Sequence, residues 1–150
     1  MKTAVIGLFI IVIMIGSTFA FAILQSVRQT SPELPKTNII EHELDFSLKD
    51  ALVQNGVTFM TLEYNSGCEN CLDQKSFLEQ VTKEFGRQVS QNPIIYDIYL
   101  EEIMDENASL PKLTVVSNLG YKELTNATQD EIFSELCELL TSPPVVCAVR

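Results

Sequence analysis

The chain has 150 residues and a formal net charge of −10. All 20 acidic residues lie beyond Arg28, against eight Lys and Arg there, so that part carries −12. Such a balance argues against nucleic acid and anionic lipid headgroups as partners, and suits a solvated acidic surface that keeps a domain soluble.

The first 28 residues differ from the rest. Thr3 to Val27 holds no charged side chain, and Ala4 to Leu24 is mostly Ile, Val, Phe, Leu and Ala. A helix of roughly 20 apolar residues spans a bilayer core. Residues 1–28 are therefore expected to be a transmembrane signal anchor or a cleaved signal peptide. Ala20-Phe21-Ala22 fits a small-x-small cleavage pattern, but the apolar run exceeds the usual h-region of about 7–15 residues, which favours the anchor. Four cysteines behind such a segment suit an oxidising compartment. The sequons Asn107-Ala108-Ser109 and Asn126-Ala127-Thr128 are compatible with it. The expectation is a single-pass cell-membrane protein with an extracytoplasmic domain, or a secreted one after cleavage.

Residues 29–38, with Pro32 and Pro35, read as a linker, and 39–150 as one domain. Ile39 to Leu44 is a predicted strand, with the single histidine, His42, on its surface. Ser47 caps a helix carrying Leu48, Ala51 and Leu52 on one face and stopping at Gly56. Val57 to Tyr64 is a strand of β-branched and aromatic residues. A helix follows with Leu72, Phe77, Leu78, Val81 and Phe85 on its buried face, ending at Gly86. Ile94 to Tyr99 is the next strand, and Glu101 to Asn107 a short acidic helix or turn. Leu113 to Val116 and Tyr121 to Leu124 form a hairpin about Asn118-Leu119-Gly120. Thr128, with Glu131 in a capping box, opens a last helix whose apolar face is Ile132, Phe133, Leu136, Leu139 and Leu140. Strands alternating with helices, closed by a hairpin and a helix, make a layered α/β sandwich.

Cys68-Glu69-Asn70-Cys71 stands where the second strand hands over to a helix. Two thiols at that spacing close a small redox ring, form an inert bridge or supply half of a zinc site. Zinc wants four ligands, and His42, Cys137 and Cys147 are distant in sequence, so a redox pair is favoured and neither metal nor other cofactor is expected.

This order, with CxxC after the second strand, resembles the thioredoxin fold. Leu110-Pro111, 40 residues after Cys71 and directly before a strand, strengthens the likeness. Thioredoxin-like proteins carry a cis-proline there, in a loop beside the disulfide that offers backbone to an incoming substrate strand. The resemblance spans Ile39 to Leu140 and implies an α/β three-layer sandwich around a central mixed sheet. It also implies a thiol–disulfide oxidoreductase. Three departures stand out. There is no Trp before Cys68, Leu62 occupies the place of the family's buried aspartate, and Asn126 that of a glycine near the last helix.

The resemblance makes Cys68 the exposed nucleophile and Cys71 the resolving thiol, and Leu110 and Pro111 the substrate-binding residues. The physics agrees on the order, because Cys68 sits at a helix N-terminus that favours an anion. Glu69 places a like charge beside the thiolate, which disfavours it and makes the pair a weaker oxidant. Cys137 and Cys147 are expected to form a structural disulfide pinning the tail behind Pro143-Pro144, in preference to a second pair relaying electrons. Cysteine-containing proteins are the expected substrates. By family analogy a membrane redox partner joins them. The competing reading is a non-catalytic binding module of the same fold, with structural disulfides or a metal site.

Overall fold

The computed structural model describes residues 34–149. The expected anchor at 1–28 and linker residues 29–33 lie outside them. No helix among the described residues is long and apolar enough to cross a membrane.

The elements are β1 (Ile39–Ile40), α1 (Phe46–Gln54), β2 (Thr58–Tyr64), α2 (Glu69–Phe85), β3 (Gln88–Gln91), β4 (Ile94–Tyr96), β5 (Ile98–Met104), β6 (Lys112–Ser117), β7 (Gly120–Thr125) and α3 (Gln129–Leu139), then a 3-10 turn at Val145–Val149. Five strands form one sheet in the order β1-β5-β2-β6-β7. β5 runs parallel to both β1 and β2, whereas β6 is antiparallel to β2 and to β7. Strand alternation divides β2 between two cores. Met60, Leu62 and Tyr64 face the layer of α2 and α3, with Leu78, Val81, Ile132 and Leu136. Phe59 faces the other layer, with Leu52 of α1 and Tyr99. The sheet is thus covered on both sides, as the expected three-layer sandwich requires.

Several boundaries differ from expectation. β1 stops at Ile40, because Glu41, His42 and Glu43 turn out to solvent before Leu44 is buried again. Asp45, not Ser47, caps α1, and its carboxylate accepts the Ser47 N–H at 2.9 Å. Ala51 is exposed on that helix while Leu52 carries the burial. On α2, Leu72 is exposed and Gln74 and Thr82 are buried in its stead. Gly86 ends α2 by close approach, since a Cβ there would stand 2.4 Å from the Thr82 carbonyl oxygen and 2.6 Å from Asn38 Nδ2. The single expected strand from Ile94 is divided at Asp97, whose carboxylate receives the Arg87 N–H and guanidinium. Its first part pairs with β3 in a separate hairpin that the polar run Gln88, Ser90, Gln91 does not announce.

The largest correction concerns Glu101 to Asn107. No acidic helix forms: β5 continues through Glu101 and Glu102 to Met104, and the expected turn is confined to Glu106 and Asn107, closed by the Ala108 N–H donating to the Asp105 carbonyl at 3.1 Å. Both carboxylates are buried, on opposite faces, and each is met by a lysine from the helix covering its side. Glu101 pairs with Lys49 of α1 and also accepts the Thr61 hydroxyl at 2.7 Å and the Leu44 N–H at 3.1 Å. Glu102 pairs with Lys75 of α2 at 2.7 Å. Removing one partner of a buried pair leaves a charge that water cannot reach. Lys49→Met should therefore cost about 3–5 kcal/mol in denaturant unfolding, and Lys49→Met/Glu101→Leu should recover most of it. A single variant within about 0.5 kcal/mol of the parent, the range of an ordinary surface change, would contradict this.

Candidate active site

The junction between β2 and α2 is organised by Asn65. Its side-chain oxygen accepts the Gly67 N–H at 2.8 Å and its carbonyl accepts the Cys68 N–H at 3.2 Å. Its amide donates to the Glu106 carbonyl at 2.7 Å, which ties the turn to the loop between β5 and β6. Sequence reading passed over Asn65, although an Asn two residues before a Gly at a strand end is a signature of such a turn.

Cys68 is the N-cap of α2 and its sulfur accepts the Cys71 N–H at 3.2 Å. A sulfur thus takes the place of the usual capping oxygen, at the positive end of the helix dipole. Cys68 and Cys71 form a disulfide with Cα atoms 5.2 Å apart, within the ordinary range. The two sulfurs differ in access. Cys68 is half-buried, whereas Cys71 is fully buried among Leu62, Tyr64 and Leu78. An open groove of about 500 Å³ runs beside Cys68, between Cys68-Glu69-Asn70 and Ala108-Ser109-Leu110. The structure therefore brings Cys68, Glu69 and Leu110 together at one groove, with Leu110 exposed.

Pro111 lies behind Leu110, buried, and its carbonyl accepts the Asn126 N–H at 2.8 Å. Asn126 takes a left-handed φ of +49°, a conformation Asn tolerates, which accounts for a non-glycine residue there. The Leu110–Pro111 bond is not cis. Among the described residues the cis bond is Asn92–Pro93, in the β3–β4 hairpin. This departs from the cis-proline that the resemblance implies.

Leu62 is buried where the resemblance places an aspartate, and a carboxylate reaches that layer from the next strand. Glu102 is the register partner of Leu62 and shares its side of the sheet. The Lys75 ammonium, one turn beyond Cys71, bonds Glu102 and the Tyr64 hydroxyl, the latter at 3.1 Å, and lies 4.9 Å from the centre of the Tyr64 ring. Glu63 stands on the opposite face, in register with Lys112.

The second disulfide, Cys137–Cys147, joins α3 to the terminal turn with Cα atoms 5.5 Å apart. The chain leaves α3 at the sheet end opposite Cys68, where Thr141 bonds Asn118 of the β6–β7 turn and the Ser142 carbonyl accepts from Arg87. That placement favours a bridge that pins the tail over a relay to Cys68. His42 is exposed, and no cluster of metal-ligating side chains occurs among the described residues.

No family model matches the chain, and no curated protein does. Among solved structures, a mutant thioredoxin from Halobacterium salinarum NRC-1 is similar at 13% identity and a TM-score of 0.47, over 77% of this chain and 99% of its own. The J-Trx1 fragment of ERdj5 is similar at 17% identity and a TM-score of 0.39, over 63% of this chain and 48% of its own. The mixed central sheet, the antiparallel β6–β7 closure and the cysteine pair at the β2–α2 junction agree with what the sequence resemblance implies. The fold is thioredoxin-like. The β3–β4 hairpin stands as a separate two-stranded sheet beside the five-stranded one.

Burial holds Glu102 above the ordinary glutamate value of 4.5, against the opposing pull of Lys75. Lys75 is pushed well above its usual value by its hydrogen bond to Glu102, with burial opposing. Lysine thus gains from the pair, while Glu102 loses more on leaving water than the pair returns. Folded Glu102 binds its proton more tightly than the unfolded chain does. Its contribution to stability is complete below 4.5 and is lost as pH rises through the folded value. Carboxyl titration by NMR should place Glu102 above 4.5 and Glu131, which accepts the Thr128 N–H, below it. The stability deficit of Glu102→Gln should shrink as pH rises. A Glu102 titrating at or below the ordinary value would contradict the direction.

Proposed function

We propose that this chain is a thiol–disulfide oxidoreductase acting on cysteine-containing proteins, held at a membrane by its N-terminal segment with the redox domain outside the cytoplasm. The observation that carries the reading is the unequal pair at the start of α2, with Cys68 open to a groove and Cys71 buried beneath it. An inert bridge has no use for that asymmetry, whereas exchange needs it. The location is supported by the uncharged stretch Thr3 to Val27 and by two disulfides in one small domain. A membrane redox partner resetting the pair belongs to the same proposal.

In the reducing direction, the Cys68 thiolate attacks one sulfur of a substrate disulfide. That bond breaks, a Cys68–substrate disulfide forms, and the departing sulfur takes up a proton. Cys71, deprotonated, then attacks the Cys68 sulfur, closes Cys68–Cys71 and releases the second substrate sulfur. The substrate gains two electrons and the protein dithiol loses two. The oxidising direction is the reverse. Glu69, flanking Cys68, opposes the thiolate and tilts the pair towards reductase or isomerase work.

Cys71→Ser removes the resolving thiol and should accumulate a mixed disulfide through Cys68. Denaturing non-reducing electrophoresis of the full-length variant after reaction with a disulfide protein should show an adduct that reductant releases, and Cys68→Ser should form none. If Cys71→Ser forms no adduct and the reduced parent has no reductase activity, the domain is a binding module and the proposal fails.

A further inference from the structure

The groove beside Cys68 has an electrostatic character that bears on which substrates it admits. Glu69 lines it, and Asp73 follows one turn along on the same side of α2, exposed. Asp105 and Glu106 belong to the opposite loop, which Asn65 ties to the Cys68 turn through the Glu106 carbonyl. The cations are committed elsewhere. Among the described residues Lys49, Lys75, Lys83, Arg87, Lys112 and Lys122 are all ion-paired to carboxylates. At the Cys68 end, Lys75 is taken by Glu102 and Lys112 by Glu123. The remaining one, Lys36, precedes β1, whose start lies towards the opposite end of the sheet, where Asn38 bonds Leu100 and Thr82 near the end of α2. The groove thus combines an exposed apolar side chain, Leu110, with Glu69 in its lining and with Asp73, Asp105 and Glu106 on the helix turn and loop that continue its two sides, and among the described residues no cation is ion-paired to these four.

We propose that this groove selects cysteine-bearing segments whose reactive cysteine is flanked by Lys or Arg and by an apolar residue. The inference rests on the exchange reading of Cys68 and Cys71 and adds the class of substrate. The apolar neighbour would lie on Leu110. The cationic flanks would lie against Glu69 and Asp73 on one side and Asp105 and Glu106 on the other. An acidic segment meets like charge from Glu69 in the groove and from the flanking Asp73, Asp105 and Glu106. The chemistry is the exchange step already written, so no further oxidant or reductant is needed. Each exposed charge pair contributes little by itself, but several of one sign acting on a diffusing segment raise its association rate and suppress oppositely patterned partners.

The test is single-turnover reduction of synthetic peptide disulfides by the reduced full-length chain in non-ionic detergent. Three peptides share one sequence around the disulfide and carry Lys, Gln or Glu at the flanking positions. At low salt the Lys peptide should react about tenfold faster than the Glu peptide, with the Gln peptide between them, and 0.5 M salt should reduce the gap to about threefold or less. Glu69→Gln/Glu106→Gln should narrow the Lys-to-Glu rate ratio by about threefold, and because the readout is a ratio, any change in Cys68 reactivity cancels. Equal rates for the three peptides, or a faster Glu peptide, overturn charge selection and leave the exchange reading standing. No reaction with any peptide overturns the exchange reading, and this inference with it.

Discussion

The Lys75 ammonium is the point on which site and scaffold meet. It stands one turn beyond Cys71 on α2, bonds the buried Glu102 carboxylate of β5 and the hydroxyl of Tyr64, the last residue of β2. One side chain therefore fixes the helix that carries the disulfide to both strands beneath it. A buried pair of this kind adds little net stability against an apolar substitute, but it is intolerant of alternative arrangements, since either partner left alone would be an uncompensated charge. Its product is a defined placement of the first turn of α2. The Cys68 and Cys71 sulfurs inherit their unequal access from that placement.

Glu101 repeats the device on the other side of the sheet with Lys49 of α1. β5 is thus clamped by consecutive carboxylates to the helices of both outer layers. One Glu102 oxygen remains buried without a hydrogen-bond partner, and burial raises the affinity of that carboxyl for its proton. The strand neighbouring β2 therefore brings a protonatable group into the layer that holds Cys71. No carboxylate comes from β2 itself on that side, where Leu62 is buried.

The legible parts of this fold were the local ones. Thr128 and Glu131 announce their capping box three residues apart, and both reciprocal bonds form. The cysteine pair sits between a β-branched strand and an amphipathic helix, so its place at the junction follows from nearest neighbours. β5 was illegible for the opposite reason. Two adjacent glutamates read as surface, and what neutralises Glu101 lies 52 residues away on another element. The β3–β4 hairpin hides because Gln88, Ser90 and Gln91 show no apolar alternation. At the site, Cys68, Glu69 and Leu110 meet at one groove, where the thioredoxin-like resemblance placed the loop of Leu110, while Pro111 is buried behind it and joined by a trans bond. Asn65, which shapes the turn, was missed because its bonds run partly to a loop distant in sequence.

The proposed function assigns exchange to Cys68–Cys71 and a structural role to Cys137–Cys147. A redox titration of the full-length chain in graded thiol–disulfide buffers, read by differential alkylation and mass spectrometry, tests it most directly. The expected result is reversible two-electron opening of Cys68–Cys71 at a potential above about −300 mV, below which structural disulfides commonly lie, while Cys137–Cys147 stays closed. Both pairs opening together, and only when the fold is lost, would contradict it.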